Sequence, residues 1–384
     1  MIYFDNSATT VPYPDVVKAF SDVSVKYFGN PSSLHDLGSK AAGLLEQSRK
    51  VAADCLGAAP GEIIFTSGGT ESNNTALKGI AWQHRGRGKH IITSSIEHAS
   101  VYETCKQLEE MGYEVTYLPT DERGRVNPAD VQSALRDDTI LVSIMFVNSE
   151  LGTVQPIAEI GEILSRHPKV FFHVDAVQGY GKLPVTPAVW HVDLLSLSAH
   201  KFHGIRGCGL LYIRRGVSIA PLIVGGGQES GLRSGTENLP GIVAMAKAMR
   251  MQQQQLSENS TQMAKLRKRL IKKLADLPYC HFNGPGKEDE FAAPHIVNFS
   301  FPGIKAEVVL HTLEKEGIYI STRSACSSKS GKPSRVLLAA GLDTEKAVAA
   351  LRVSFSAANT EAEVDRFAQI ISETVPNLAK IMRV

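Results

Sequence analysis

What most constrains the fold of this chain is the order of its patterns: through the first two thirds, short apolar runs alternate with amphipathic helical stretches. A strand followed by a covering helix returns to pair in parallel with the next strand, so this alternation predicts an α/β unit with a mainly parallel, doubly covered sheet. Helices are expected over residues 14–27, 39–56, 71–83, 99–111, 128–135 and 157–165. Strands are expected over 62–66, 90–94, 114–118, 140–146, 170–174, 193–197 and 209–213.

After residue 240 the pattern changes to one long helical stretch reaching residue 274. Beyond it come a strand (295–301), a helix (305–316), a short strand (317–321), a helix (334–340), a strand (351–356) and a closing helix (361–381). This mixed α+β order predicts a smaller second domain. The expected division is 14–255 for the large domain, with 1–13 and 256–384 forming the small one. On the long helix Leu266, Leu270 and Leu274 recur every four residues, so Lys265, Arg267, Lys268, Arg269, Lys272 and Lys273 fall mostly on its solvated side rather than forming a surface for RNA.

With Lys+Arg 41 against Asp+Glu 39 the net charge is +2, and no global field selects nucleic acid or an anionic membrane. No apolar run approaches a membrane span and the first ten residues lack the regions of a signal peptide, so a cytoplasmic location is expected. The five cysteines, Cys55, Cys105, Cys208, Cys280 and Cys326, are odd in number and scattered without a Cys-x-x-Cys pair. Neither a disulfide framework nor a metal site is expected, which leaves a free thiol for chemistry.

Ligands of such sheets sit beyond the carboxyl ends of strands, and chemistry-bearing residues follow several of them. Ser198-Ala-His-Lys201 places an amine able to condense with an aldehyde beside donors for an anion, although a polar loop would read the same way. Ser67-Gly-Gly-Thr-Glu-Ser-Asn-Asn74 opens a helix whose N–H groups at Gly69 and Thr70 suit a phosphate; a simple capped helix start is the alternative. The run 170–178 ends in Asp175 and Gln178, and a carboxylate beyond an apolar strand needs a cation, such as a protonated pyridine nitrogen, or an arginine elsewhere in the fold. His98 follows another strand and could lie over an aromatic ring and exchange protons, or be a structural histidine. Cys326 stands among small polar and glycine residues that suit an exposed loop and a reactive thiolate; a small hydrophobe at a strand end is the alternative.

From end to end the sequence resembles the cysteine desulfurases (NifS/IscS-like) of the class V aminotransferase superfamily, enzymes that use pyridoxal 5'-phosphate on the fold type I scaffold. The motifs that carry the resemblance are Tyr3-Phe-Asp-Asn-Ser-Ala-Thr-Thr10, Gly29-Asn-Pro-Ser-Ser33, Phe65-Thr-Ser-Gly-Gly-Thr-Glu-Ser72, Glu97-His98, His173-Val-Asp-Ala-Val-Gln178, Ser198-Ala-His-Lys201, Arg233-Ser-Gly-Thr236 and Ser324-Ala-Cys326. The resemblance implies that Lys201 condenses with the cofactor, Asp175 pairs with its ring nitrogen, Gln178 bonds its ring hydroxyl and His98 stacks on the ring. It implies that Gly69, Thr70, Ser198 and His200 hold the phosphate, joined by Thr236 from the second subunit of a homodimer. It also makes Cys326 the nucleophile that keeps a persulfide and Arg352 the grip on the carboxylate of L-cysteine.

Three departures stand out. Asn148-Ser149 replaces two successive asparagines, the second of which usually contacts the ring hydroxyl and the substrate. Arg323 replaces a common glycine, and the chain stops at Val384, without the longer tail that in some relatives helps dock an iron–sulfur scaffold. The expected function is therefore conversion of L-cysteine to L-alanine, with sulfur passing to a sulfur-acceptor protein in tRNA thiolation or iron–sulfur assembly. A selenocysteine lyase or an aminotransferase on the same fold is the alternative. No membrane partner and no direct nucleic-acid binding are expected.

Overall fold

A computed structural model gives the fold; the described residues are 1–322 and 333–382. In chain order the elements begin with β1 (Ile2–Tyr3), α1 (Pro14–Lys26), α2 (Asp36–Leu56), β2 (Ile63–Thr66), α3 (Gly69–Gln83), β3 (His90–Ser94), α4 (Ala99–Glu110) and β4 (Glu114–Leu118). They continue through α5 (Pro128–Ala134), β5 (Thr139–Met145), α6 (Ile157–Ser165), β6 (Phe171–Asp175), β7 (Leu194–Ser198), β8 (Gly209–Ile213) and α7 (Leu239–Leu274). The rest are β9 (His281–Asn283), β10 (Ile296–Ser300), α8 (Ala306–Lys315), β11 (Ile318–Tyr319), α9 (Arg335–Ala339), α10 (Thr344–Val348), β12 (Ala350–Ser354) and α11 (Glu361–Met382).

The large sheet has the order β2-β8-β7-β6-β5-β3-β4, and only β8 runs against its neighbours. Because β8 is antiparallel to both β2 and β7, β2 points the same way as β7 and the parallel set, and six strands end at one edge. The strands alternate between two packed faces. Ile63, Phe65, Leu195 and Leu197 turn toward α1, α2, α6 and the first half of α7, while Ile64, Leu194 and Leu211 turn toward α3 and α4. This period-two division of apolar side chains is what two covering layers require.

Helix ends carry their expected chemistry. His35 accepts from the Gly38 N–H at the start of α2, and Gly57 at its end has φ 64°, a left-handed conformation that a glycine adopts without strain. Helix α7 is capped by Asn238, whose side chain accepts from the Gly241 N–H.

A second core forms around the three-stranded sheet β12-β10-β9 with α8, α11 and the far half of α7. Phe4 from the N-terminal arm is buried there, edge-on to Phe355 and Phe367, and β1 pairs in parallel with β11. Helix α7 thus serves both cores, through Met245 and Met249 at one end and Leu266 and Leu270 at the other. Lys265, Arg269 and Lys273 on its outer side pair with Glu361 and Asp365 of α11. Arg267 departs from the expected solvated side: it is buried and donates to the carbonyls of Pro285, Gly286 and Ile296, capping a turn that periodicity alone does not reveal. Elements β1, β9 and α10 are too short to show a period and were not anticipated.

Candidate active site

At the edge where the parallel strands end lies a cavity of about 220 Å³. Gly69, Thr70, His98, Asp175, Gln178, Ser198, His200 and Lys201 all line it, from the ends of β2, β3, β6 and β7. Thr236 is exposed and does not line it, and neither does Arg352. Cys326 and Arg323 lie outside the described residues.

Lys201 closes a short 3-10 turn directly after β7, and its Nζ donates to the carbonyls of Ser7 and Ala8, 2.5 and 2.9 Å away. The N-terminal arm therefore forms one wall. Behind Lys201, the buried Lys182 donates to the Lys201 carbonyl, and burial together with the charge of Lys201 brings its ammonium down to about 7. His200 is likewise pushed down to about 4, by burial and then by Lys201, so its ring is neutral beside the cavity.

Asp175 ends β6 almost wholly buried. Its Oδ2 accepts from Asn73 Nδ2 at 2.8 Å and its Oδ1 from the Val177 N–H at 3.0 Å, and among the described residues no cation pairs with it. Asn73 also lies 2.8 Å from Ser100 Oγ, which in turn lies 2.8 Å from His98 Nδ1. Asn73 and Ser100 were not anticipated. Asn73 stands four residues after Gly69 and so on the same face of α3, a spacing that could have flagged it.

Of the pair Asn148-Ser149, Ser149 lines the cavity. Asn148 turns inward, accepting from the N–H groups of Glu150 and Leu151 and donating to the Ile96 carbonyl. Arg352 is 1% exposed and no surface residue: it donates to Asp5 Oδ1 at 2.8 Å and to the Ser149 carbonyl at 2.9 Å, and its Nε is buried without a partner among the described residues. It lies one residue behind the wall, through Ser149.

The turn that presents His98 is held from both sides. Glu97, fully buried and raised by that burial to about 8, accepts from Ser94 Oγ and the Met145 N–H. From α9, the Arg335 guanidinium donates to the carbonyls of Ser95 and Glu97 and lies 3.8 Å from the Tyr102 ring centroid. The glycine-rich stretch before Thr236 is fixed by a two-pronged pair between Arg49 and Glu229 and by Arg233 on Glu71, so Arg233 is already engaged by a carboxylate. Among the described residues no group of His, Cys, Asp and Glu could hold a metal ion, and no helix is long and apolar enough to cross a membrane.

Residues 2–367 match the family Aminotransferase class-V. The chain belongs to the class V aminotransferases. It is 48% identical to the cysteine desulfurase IscS of Methanosarcina thermophila, over 98% of this chain and 92% of that one. A solved NifS-like protein superposes with a TM-score of 0.92 at 42% identity, covering 98% of this chain and 100% of the other. The protein SspA, solved in complex with cysteine, gives a TM-score of 0.82 at 36% identity over 94% of this chain and 100% of its own.

Class V aminotransferases of this kind are pyridoxal-phosphate enzymes, and the cavity fits that group. The start of α3 has no side-chain cap, which leaves its N–H groups and the positive helix end for a phosphate. A Cβ on Gly69 would lie 2.8 Å from Val177 Cγ2, so only glycine lets that helix end approach β6 so closely. Among the described residues Asp175 lacks a cation in a setting that calls for one, and Gln178 Oε1 is buried without a partner, as a hydrogen-bonding ligand would require.

Proposed function

We infer that this chain is a pyridoxal-phosphate-dependent cysteine desulfurase that converts L-cysteine to L-alanine. The observation that carries the reading is the meeting, in one cavity, of the Lys201 amine, the cation-seeking Asp175 and the uncapped start of α3. Gly69, Thr70, Ser198 and His200 would hold the phosphate, Asp175 the ring nitrogen, Gln178 the ring hydroxyl and Lys201 the aldehyde carbon. When bound, the cofactor supplies a ring that withdraws electrons from the substrate carbon bearing the amine.

The residues of the chain do the rest. Arg352 would orient the substrate carboxylate through the N–H groups that Asp5 and Ser149 leave open, and His98 would lie over the ring. The Cys326 thiolate attacks the substrate sulfur, the carbon–sulfur bond breaks, L-alanine leaves and Cys326 keeps a persulfide. In support, the four described cysteines are poor candidates for that role, because burial raises the thiols of Cys55, Cys105, Cys208 and Cys280. The exposed Thr236 would complete the phosphate site from the second subunit of a homodimer. The sulfur acceptor would be a protein of tRNA thiolation or iron–sulfur assembly, in the cytoplasm, and residues 14–255 would form the cofactor domain, with 1–13 and 256–384 the small one.

The test is to supply L-cysteine without a keto acid and follow L-alanine together with a persulfide trapped on the protein. Alanine forming in equal measure with sulfur on Cys326, and neither forming in Cys326→Ala, is the expected result. Persulfide transfer surviving Cys326→Ala, or a visible cofactor band surviving Lys201→Ala, would refute it.

A further inference from the structure

The amide of Asn73 joins two groups that the reaction uses separately. Its Nδ2 is 2.8 Å from Asp175 Oδ2 and 2.8 Å from Ser100 Oγ, and both contacts are buried. An ionised carboxylate only accepts, so the amide must present its NH₂ to Asp175; the flipped amide would set oxygen against oxygen. That choice fixes the next link. Ser100 Oγ, already accepting from Asn73, turns its own O–H toward His98 Nδ1 at 2.8 Å, and the Ser100 backbone N–H reaches the same nitrogen at 3.2 Å. With two donors aimed at it, Nδ1 has no room for a proton, and the ring proton resides on Nε2. Burial lowers the pKa of His98, which agrees with a neutral ring.

We propose that Asn73 is a positioning residue which, by donating at once to Asp175 and Ser100, locks His98 as the neutral Nε2–H tautomer and offers the cavity a hydrogen-bond donor rather than a base. The charge of the acid that serves the ring nitrogen thus dictates the tautomer of the histidine on the ring. To accept a proton at Nδ1, His98 would have to turn the Ser100 hydroxyl away and break the chain that begins at Asp175. The role toward the cofactor rests on the function proposed above, whereas the tautomer belongs to the protein alone.

The experiment is ¹⁵N–¹H correlation of the histidine rings in the cofactor-free protein at pH 7, with His98 identified by the signal lost in His98→Ala. The wild type is expected to show one neutral tautomer with the proton on Nε2. Asn73→Ala and Ser100→Ala are expected to release it, giving mixed tautomers or a charged ring. In the loaded enzyme Asn73→Ala should lower kcat/KM for L-cysteine by about 10- to 100-fold, the scale of a misplaced catalytic group. In a His98→Ala background the same change should cost little beyond its effect on Asp175.

A wild-type ring protonated on Nδ1 or on both nitrogens would overturn the proposal. So would a tautomer unchanged in Asn73→Ala, and Ser100→Ala carries the test if Asn73→Ala does not fold. Failure of the enzyme to form alanine, with the tautomer as expected, would count against the proposed function and leave the lock intact.

Discussion

Replacing Arg352 with methionine, which keeps the bulk of the side chain and removes the fork, should weaken the grip on one end of the substrate. In the fold one terminal nitrogen donates to Asp5 at 2.8 Å and the other to the Ser149 carbonyl at 2.9 Å, and the buried Nε has no partner among the described residues. Two of the guanidinium's five N–H donors are used in this way, so a carboxylate reaching this arginine gains at least one new charge-assisted hydrogen bond, from Nε or from the second hydrogen of a terminal nitrogen. A hydrogen bond to a charged group contributes about 1.5–3 kcal/mol. At about 1.4 kcal/mol per tenfold, the apparent affinity for L-cysteine should drop by about 10- to 150-fold.

The assay is titration of the visible cofactor band with L-cysteine and with cysteamine, which keeps the amine and thiol but lacks the carboxylate. Only the L-cysteine curve should move. Equal weakening of both ligands, or of neither, would refute Arg352 as the carboxylate contact. The substitution also strands Asp5, whose side chain is 22% exposed, so the loss of stability should fall at or below the low end of the roughly 3–5 kcal/mol seen for broken buried pairs. The double variant Asp5→Asn with Arg352→Met removes both charges and should recover stability but not affinity, which separates the two effects.

Three further outcomes are expected. Glu229→Gln leaves Arg49 buried against a neutral amide and should destabilise the protein by about 3–5 kcal/mol, read as a lower urea midpoint; an unchanged midpoint would show that the pair is not needed to hold its loop. Arg335→Met removes two bonds to the turn before His98 and should cost about 2–3 kcal/mol, with Arg335→Lys recovering at most part of it; full stability in Arg335→Lys would mean that the fork geometry is irrelevant.

His173, between Ser143 and Ser196, is pushed by burial from its ordinary 6.5 down to about 3. Below 6.5 the unfolded chain binds a proton that the native chain refuses, so stability falls as pH falls, by up to about 1.4 kcal/mol per pH unit, until the native group also titrates near 3. His173→Asn should flatten that slope between pH 6.5 and 4, and an unaltered slope would assign the acid sensitivity to other groups.

Much of the site could be read in one dimension because its groups follow strand ends, and a parallel sheet gathers all such ends at one edge. Lys201, Asp175, His98 and the Gly69-Thr70 turn each follow an apolar strand pattern, so their convergence needs no knowledge of strand order. What could not be read are the links that cross from one element to another. Asn73 sits in a helix that looks ordinary, Lys182 lies in a turn after β6, and Arg335 comes from an element far along the chain, yet each touches a residue singled out from sequence.

The amino-acid order by itself determined the alternation of strands and helices, the change of pattern after residue 240, and which side chains could carry chemistry. Those follow from local periodicity and from the chemistry of side chains, and both are properties of neighbouring residues. Only the tertiary structure decided that β8 runs against its sheet, that Arg352 is buried behind Ser149, that Arg267 caps a turn instead of facing water, and that one amide ties Asp175 to His98. These depend on the distance between residues remote in sequence, and hydrogen bonds a few ångströms long exist only once the packed cores bring such residues together.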